Sequence, residues 1–219
     1  MARPIIITAQ LGALDRDGIC AAQQTVGAGS LTINGAFASG GIATLDQTRI
    51  VGIYSAGNLS GRVFTVNGSG YGGTALSETI TGPNNTTVSG VLMFKKITSI
   101  TVDGAVGTNV EVGTTGVGAT QPVPLDQHIS PFAIGLFIEI ATGATVNVTA
   151  QYTPDDIFSE TKMASAALGV PGINWTDHAS LTSKTANADS NIAYPAAAVR
   201  MKINSGTDAA TFIIRQAGI

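Results

Sequence analysis

The side chains that most often carry catalysis or bind metals are few and scattered in this sequence. There are two histidines, His128 and His178, and one cysteine, Cys20. His178 follows Trp175 and Asp177, but a metal site would need further ligands from distant loops. Cys20 lies among small residues with no basic neighbour to lower its pKa, and the nucleophile motif G-x-S-x-G does not occur. These residues are interpreted as packing or surface groups.

The sequence contains one compact group of acidic residues, Asp155 and Asp156 with Glu160 nearby. Adjacent residues point in opposite directions on a strand and do not share a face on a helix, so the pair is poorly placed for acid-base catalysis. A loop leading into the first turn of a helix, where negative charge is favourable, explains it better. Asp15–Gly18 starts like a calcium loop but lacks the remaining oxygen ligands and the closing Glu, so it is interpreted as a turn.

The glycine-rich segment Gly68–Gly73 contains the spacing G-x-G-x-x-G. That motif holds a pyrophosphate only where a helix begins directly after the glycines. Here Thr74–Ser77 continues the alternation of a strand, so we predict a hairpin loop. The sequence as a whole predicts no catalytic residues, no cofactor-binding residues, no metal ligands, no cofactor and no enzymatic activity.

The composition excludes several classes of partner. The chain has 219 residues, of which 44% are hydrophobic and 11% charged, against about 25% charged in an average domain. Its net charge is −3 and it has no Lys/Arg cluster, so nucleic-acid binding is disfavoured. No apolar run approaches the roughly 18 residues of a membrane span, and the N-terminus does not resemble a signal peptide. We therefore expect no nucleic-acid partner and no membrane partner.

The elements that position these side chains are predicted to be strands. Apolar and polar residues alternate with a period of two, and turn residues recur about every eight to twelve positions. The predicted strands are Leu31–Asn34, Ile42–Leu45, Arg49–Ser55, Val63–Val66, Thr74–Thr81, Thr86–Phe94, Ile97–Asp103 and Val110–Val112. We expect an all-β fold: an antiparallel β-sandwich of the jelly-roll or immunoglobulin-like kind, or two packed β units with one short helix.

Three segments are predicted along the chain. Residues 1–24 form an N-terminal arm or edge strand, residues 25–120 a β-sandwich domain, and residues 121–219 a second β unit. Thr114–Gln127 contains two glycines and two prolines and is predicted to be a linker or crossing loop rather than interior sheet. The second unit includes a long loop, residues 153–195, with a short helix over Glu160–Leu168 capped by Ser159. A loop of that length is either functional or hides a further element.

Two hairpins are predicted in the second unit. The nearly apolar segment Phe132–Ala141 is typical of a strand covered on both faces, and Gly143 turns it into Thr145–Thr149. Near the C-terminus, Val199–Asn204 and Ala209–Gln216 both alternate and are separated by a turn. We predict that these two strands pair as a core hairpin with Arg200 and Lys202 facing outward, because a slip of one residue would bury both cations.

The run from Gly29 to Gly113 resembles a family of structural proteins from tailed bacteriophages. The matching segments are Gly29–Gly35, Gly41–Ala43, Ser55–Ser60, Phe64–Gly68, Glu78–Pro83 and Phe94–Ile100. The C-terminal part is similar to the same kind of protein through Trp175–His178, Thr185–Asp189 and Arg200–Asn204. These are strand-and-turn patterns without a catalytic signature.

The resemblance implies a structural component of the virion, assembled in the host cytoplasm. A capsid decoration (cement) protein that bridges capsomers is favoured, with the major capsid protein as partner and with copies associated as a homo-oligomer, favoured as a trimer. A collar or tail-tube component, bound to neck or tail proteins, is the next alternative. A carbohydrate-binding or adhesin-like β module is the alternative from another class, and a depolymerase-type enzyme is a weaker one. We also expect that removing residues 1–12 weakens assembly and leaves the fold intact.

Overall fold

The computed structural model describes residues 4–128, 132–158 and 173–216, and these residues form an all-β protein with antiparallel sheets. The predicted all-β, sandwich-type fold is confirmed. No helix among the described residues has the length and apolar character needed to cross a bilayer. The predicted helix over Glu160–Leu168 lies outside the described residues.

Sixteen strands follow one another in the described part of the chain, with short 3₁₀ turns at Tyr71–Gly73 and Ala179–Leu181. They are β1 (Ile5–Ala9), β2 (Cys20–Thr25), β3 (Gly29–Ser30), β4 (Ala38–Ser39), β5 (Ile42–Asn58), β6 (Val63–Ser69), β7 (Ala75–Thr81), β8 (Asn84–Val102), β9 (Val106–Ala119), β10 (Val123–Pro124), β11 (Ile134–Ile140), β12 (Val146–Thr153), β13 (Thr176–Asp177), β14 (Ala188–Ile192), β15 (Ala198–Gly206) and β16 (Ala210–Gln216).

The chain divides into two compact units, each with its own core. The sandwich unit comprises Met1–Ala13 and Gly118–Ile219, and the long-strand unit comprises Leu14–Val117. The division falls after Ala13 and after Val117, whereas the sequence predicted boundaries after residues 24 and 120. The N-terminal segment of the chain thus belongs to the same unit as the C-terminal half.

The sandwich unit is built from two antiparallel sheets. Sheet A has the strand order β1-β16-β11-β14, and sheet B contains β13, β12 and β15, with β10 and the last two residues of β9 also paired to β15. The alternating apolar residues of the two sheets form one core, whose main members are Leu11, Ile134, Leu136, Ile138, Val146, Val148, Val199, Met201, Ile203, Phe212 and Ile214. Period-two alternation produces this arrangement because it places every second side chain on the inner face.

Both hairpins predicted in this unit are wrong. β11 lies in sheet A and β12 in sheet B, and β15 and β16 are divided in the same way. The predicted outward orientation of the cations is nevertheless correct, since Met201 and Ile203 are fully buried while Arg200 and Lys202 are partly exposed. Each predicted hairpin is instead an arch that carries the chain from one sheet to the other.

The two arches pair with each other. β11 is hydrogen-bonded to β16 in sheet A, and β12 to β15 in sheet B. At the turns, the Thr207 amide donates to the Thr145 carbonyl at 3.2 Å, and the Thr145 amide donates to Asp208 Oδ2 at 2.6 Å. Gly206 has φ +96°, and a Cβ there would lie 2.0 Å from the Thr145 oxygen. A glycine is therefore required where the two turns meet.

Three further predictions for this unit are corrected: the linker over Thr114–Gln127, the loop over residues 153–195 and the burial of β11. The first part of Thr114–Gln127, predicted to be a linker, continues β9 as far as Ala119. The predicted loop over residues 153–195 contains β13 and β14, so it does hide further elements. β11 is buried on one face only, with Phe137 partly exposed and Glu139 exposed on the other. Glycine-rich and polar strands were missed because their composition is that of a loop, while their pairing partners lie far along the chain.

The long-strand unit is organised around β5 and β8, of 17 and 19 residues. The sequence predicted two strands in place of each. The structure joins them, with irregular register between Thr44 and Arg49 and again near the middle of the β5–β8 pair. Bulges of this kind let one strand bend without ending, which is why the pattern of alternation breaks there. β8 also pairs with β6, which forms a hairpin with β7.

The core of this unit is separate and includes Ile19, Cys20, Leu45, Ile53, Phe64, Val66, Phe94, Ile97, Ile100, Val110 and Val112. Leu31–Asn34, predicted to be a strand, has no strand assignment. Its faces are as predicted, because Leu31 and Ile33 are buried while Thr32 and Asn34 are exposed. The Leu31 amide donates to the Ile100 carbonyl at 2.8 Å, the Thr32 amide to Gln23 Oε1 at 2.8 Å and the Asn34 amide to the Ile19 carbonyl at 3.1 Å, so the segment is held by separate hydrogen bonds rather than by a strand ladder.

Candidate interaction surface

Within the described residues, sheet A has two edge strands, β14 and β1, and we call the edge at β1 the free edge. This strand is the last in the sheet order, and among the described strands it pairs only with β16, from Ile5 opposite Ile214 to Ala9 opposite Ala210. Its residues are three consecutive isoleucines followed by Thr8 and Ala9. Of these, Ile5 and Ile6 are 46% and 60% exposed. A strand edge with apolar side chains offers both backbone hydrogen bonds and apolar area to another chain.

An apolar row crosses the outer face of sheet A next to this edge. Ile6 lies directly opposite Ile213 on β16, and Ile213 lies directly opposite Phe137 on β11. Directly opposite residues of antiparallel strands share a face and have Cβ atoms about 5 Å apart. We call Ile6, Ile213 and Phe137 the outer stripe. It ends at β14, where Asp189 lies opposite Phe137.

Polar side chains border the outer stripe on both sides. On one side Arg215 lies opposite Gly135, and its guanidinium carbon is 6.0 Å from the centre of the Phe137 ring. On the other side lie Thr8, Thr211 and Glu139, with the two threonine hydroxyls 2.9 Å apart. An apolar centre with a polar border is the usual anatomy of a protein–protein contact.

The sequence did not single out the outer stripe. Its members come from three distant parts of the chain, and Phe137 lies in a segment that was predicted to be covered on both faces. One signal was present: Ile213 is an apolar residue between Thr211 and Arg215, on the polar face of an otherwise clean alternation.

A second cluster lies around the tryptophan, on the outer face of sheet B. Gln151 joins three neighbouring strands: its amide nitrogen donates to Asp177 Oδ1 at 2.7 Å, and its oxygen accepts from Arg200 Nε at 2.8 Å. The Arg200 guanidinium carbon lies 4.2 Å from the centre of the Trp175 ring. Burial lowers the pKa of Arg200 to about 9, while Asp177 opposes the shift, so the guanidinium is cationic at neutral pH. The polar groups of this cluster bind one another, and Arg200 lies against the ring.

A surface groove of about 480 Å³ lies in the long-strand unit, lined by Asn58, Leu59, Gly61, Arg62, Ala105, Gly107 and Thr108. Arg62 is the charged side chain of this lining, and its Nε donates to the Ala105 carbonyl at 2.9 Å. Asn58 Oδ1 accepts from the Ser60 amide and hydroxyl. These lining residues do not include a pair of groups that could act as acid and base.

The structure separates the residues that sequence analysis considered for chemistry. Cys20 is fully buried in the long-strand core, and burial raises the pKa of its thiol to about 12. His178 is buried in the sandwich unit, with Nε2 3.1 Å from the Asn191 carbonyl. His128 is exposed beside Asp126. None of these side chains approaches another in a hydrogen bond among the described residues.

The acidic and glycine-rich segments have local roles. Asp156 accepts from the Phe158 amide at 2.9 Å and so holds a local turn, whereas Asp155 accepts from the Asn174 amide, 19 positions on, at 2.8 Å. Glu160 lies outside the described residues. In the described part of the chain, no three His, Cys, Asp or Glu residues are grouped to hold a metal ion.

β6 and β7 form the predicted hairpin, in which Gly68 and Ser69 end β6 and the loop begins at Gly70. The Gly70 amide donates to the Thr74 carbonyl at 2.9 Å, and β7 begins at Ala75 after a single 3₁₀ turn at Tyr71–Gly73, with no α-helix between. Asp15–Gly18 is the predicted turn, and the Asp15 carbonyl accepts from the Thr114 amide at 2.8 Å.

The chain matches no protein-family model, and no curated protein matches it at a significant level.

Proposed function

We propose that this protein is a structural component of a tailed-bacteriophage virion, and specifically a capsid decoration protein that binds the major capsid protein in many copies. The observation that carries the proposal is the free edge of sheet A, where Ile5 and Ile6 are exposed beside the outer stripe. An exposed, apolar strand edge is unfavourable for a protein that stays alone in solution, and it is covered when the protein binds a neighbour.

Two further features support an assembled state. The chain carries few charges for its size, and its apolar side chains at the surface include Leu14, Val26, Val63 and Val91. Proteins that remain monomeric usually have a more charged surface. The resemblance to phage structural proteins, carried by the strand-and-turn segments, supplies the particular kind of assembly. Copies associated as a trimer remain part of this proposal.

Co-sedimentation with capsids tests the proposal. Purified protein is mixed with expanded capsids of the phage that encodes it, after the decoration layer has been stripped. We expect saturable binding at a fixed number of copies per capsid. Ile6→Lys, which places a charge on the free edge, should weaken binding, whereas Lys202→Glu on the outer face of sheet B serves as the control. Absence of the chain from purified particles would refute the proposal.

Location within the particle distinguishes the alternatives. A label on this chain should decorate the whole capsid surface in particle images; labelling confined to the neck or tail would favour the collar or tail-tube alternative.

A glycan-binding module is favoured by one observation: the Tyr194 ring is half-exposed, and its centre lies 5.4 Å from the centre of the Tyr152 ring. Binding to cell-surface glycan without binding to capsids would support that alternative.

A further inference from the structure

The outer face of sheet A carries opposite charges on opposite sides of its apolar centre. Arg215 lies on one border of the outer stripe and Glu139 on the other, and both side chains are exposed. Among the described residues neither of them forms an ion pair. The two borders are the rows of residues two positions before and after the stripe, roughly 13 Å apart at about 3.4 Å per residue.

We propose that, free in solution, two copies of this chain bind each other through this face, related by a twofold axis that runs along the outer stripe. This pair is distinct from the trimer proposed on the capsid, where the capsid protein covers the free edge. In that arrangement Ile6, Ile213 and Phe137 pack against the same residues of the second copy. The border with Arg215 then lies over the border with Thr211 and Glu139 of the second copy, so each Arg–Glu contact forms twice. Such a contact is self-complementary, as a twofold interface must be.

The charges select this axis over the other one available to two stacked sheets. A twofold axis along the strands would keep each border over the same border of the second copy, bringing Arg215 near Arg215 and Glu139 near Glu139, and like charges in contact are unfavourable. The proposed axis brings together one like pair, the two Asp189 carboxylates at the β14 end of the stripe, against two Arg–Glu contacts. Stacked sheets lie about 10 Å apart, a distance that an arginine and a glutamate side chain span together. The apolar centre excludes water, and the charged borders set the register.

The size of the face predicts a weak dimer. Four strands of five to seven residues cover roughly 15 by 20 Å at about 4.8 Å between strands and 3.4 Å per residue. This is smaller than the ~800 Å² per partner of a standard interface. We therefore expect dimerisation that depends on protein concentration and weakens as salt is added, because salt screens exposed charge pairs.

Sedimentation velocity of the full chain over a range of concentrations tests the inference. We expect a monomer–dimer equilibrium. Arg215→Glu alone and Glu139→Arg alone should each raise the dissociation constant about tenfold, since each change places like charges in both symmetric contacts. The double variant, Arg215→Glu with Glu139→Arg, should restore dimerisation. Lys202→Glu, a charge reversal on the outer face of sheet B, is the matched control and should have no effect.

Three results would overturn the inference: a monomer at all concentrations, an oligomer unaffected by either single variant, or single variants that the double variant does not rescue. The last result would indicate a different geometry, such as pairing of two β1 edges. Circular dichroism of each variant verifies that the sheet content is unchanged. The measurement uses free protein in solution, so its outcome is independent of whether the chain is found on capsids.

Discussion

Arg49 is the largest side chain that the described residues bury completely. Its Nε and one terminal nitrogen donate to the Thr115 carbonyl at 3.2 and 2.7 Å, and the other terminal nitrogen lies 3.4 Å from Asp46. A buried charge is tolerated only where its hydrogen bonds are satisfied. In the sequence Arg49 was only the first residue of a predicted strand, and no local pattern marks a buried cation.

The first prediction concerns this buried guanidinium. Arg49→Ala should lower the free energy of unfolding by about 3 kcal/mol, because it leaves a cavity and removes the donors to the Thr115 carbonyl. Arg49→Met keeps most of the volume without the charge and should cost less. Urea denaturation measures both. If the methionine variant loses as much stability as the alanine variant, the loss comes from the missing charge and hydrogen bonds rather than from the cavity.

A second prediction concerns Cys20, whose thiol pKa is raised to about 12 by burial. At pH 8 the thiolate fraction should be roughly two-thousand-fold below that of an ordinary thiol with a pKa of about 8.5. We expect iodoacetamide to modify the native protein at a small fraction of the rate seen in urea. Rapid labelling of the folded protein would show that the thiol is accessible.

At the scale of elements, the paired arches decide the architecture of the sandwich unit. Strands that follow each other in the chain are placed in opposite sheets, and strands from different arches are hydrogen-bonded. Gly143, in the turn of the first arch, and Gly206, the last residue of β15 before the turn of the second, both have positive φ. The outer stripe depends on the same arrangement, because β11 and β16 are neighbours only through the pairing of the two arches.

The two turn glycines form a matched pair for a third prediction. Gly143→Ala meets no atom within 4 Å and should cost about 1 kcal/mol, the usual penalty of positive φ for a residue with a Cβ. Gly206→Ala adds a contact of 2.0 Å with the Thr145 carbonyl and should cost at least twice as much. Thermal unfolding compares the two variants. Equal losses of stability would mean that the turns are not packed together.

At the scale of the whole molecule, the chain forms two units with separate cores, and its N-terminal segment contributes to the unit made from its C-terminal half. β1 is paired with β16 along its full length, and Ala9 and Leu11 are buried in the sandwich core. The sequence-based expectation that residues 1–12 are dispensable for folding conflicts with these positions. An edge strand that supplies core side chains is part of the fold as well as of the surface.

The fourth prediction follows from that position. Deleting residues 1–12 should lower the free energy of unfolding of the sandwich unit by at least the ~2–5 kcal/mol that truncation of one buried leucine costs. Ile6→Thr is the control, because it changes an exposed side chain and should alter stability by less than about 0.5 kcal/mol. Differential scanning calorimetry measures both. An unchanged melting temperature after the deletion would restore the original expectation of a dispensable arm.

The sequence alone determined that the chain forms strands and, in most of them, which face is buried. Alternation is a local property: Met201 and Ile203 point inward and Arg200 and Lys202 outward whatever strand lies beside them. The same holds for Leu31 and Ile33, whose faces were predicted correctly although the segment has no strand assignment.

Only the tertiary structure decided which strands pair. A turn containing glycine can close a hairpin within one sheet or an arch between two sheets, and the residues that flank it alternate identically in both cases. The choice depends on packing between segments far apart in the chain, as between β1 and β16. The outer stripe was therefore invisible in the sequence, because Ile6, Ile213 and Phe137 become neighbours only when those distant strands pair.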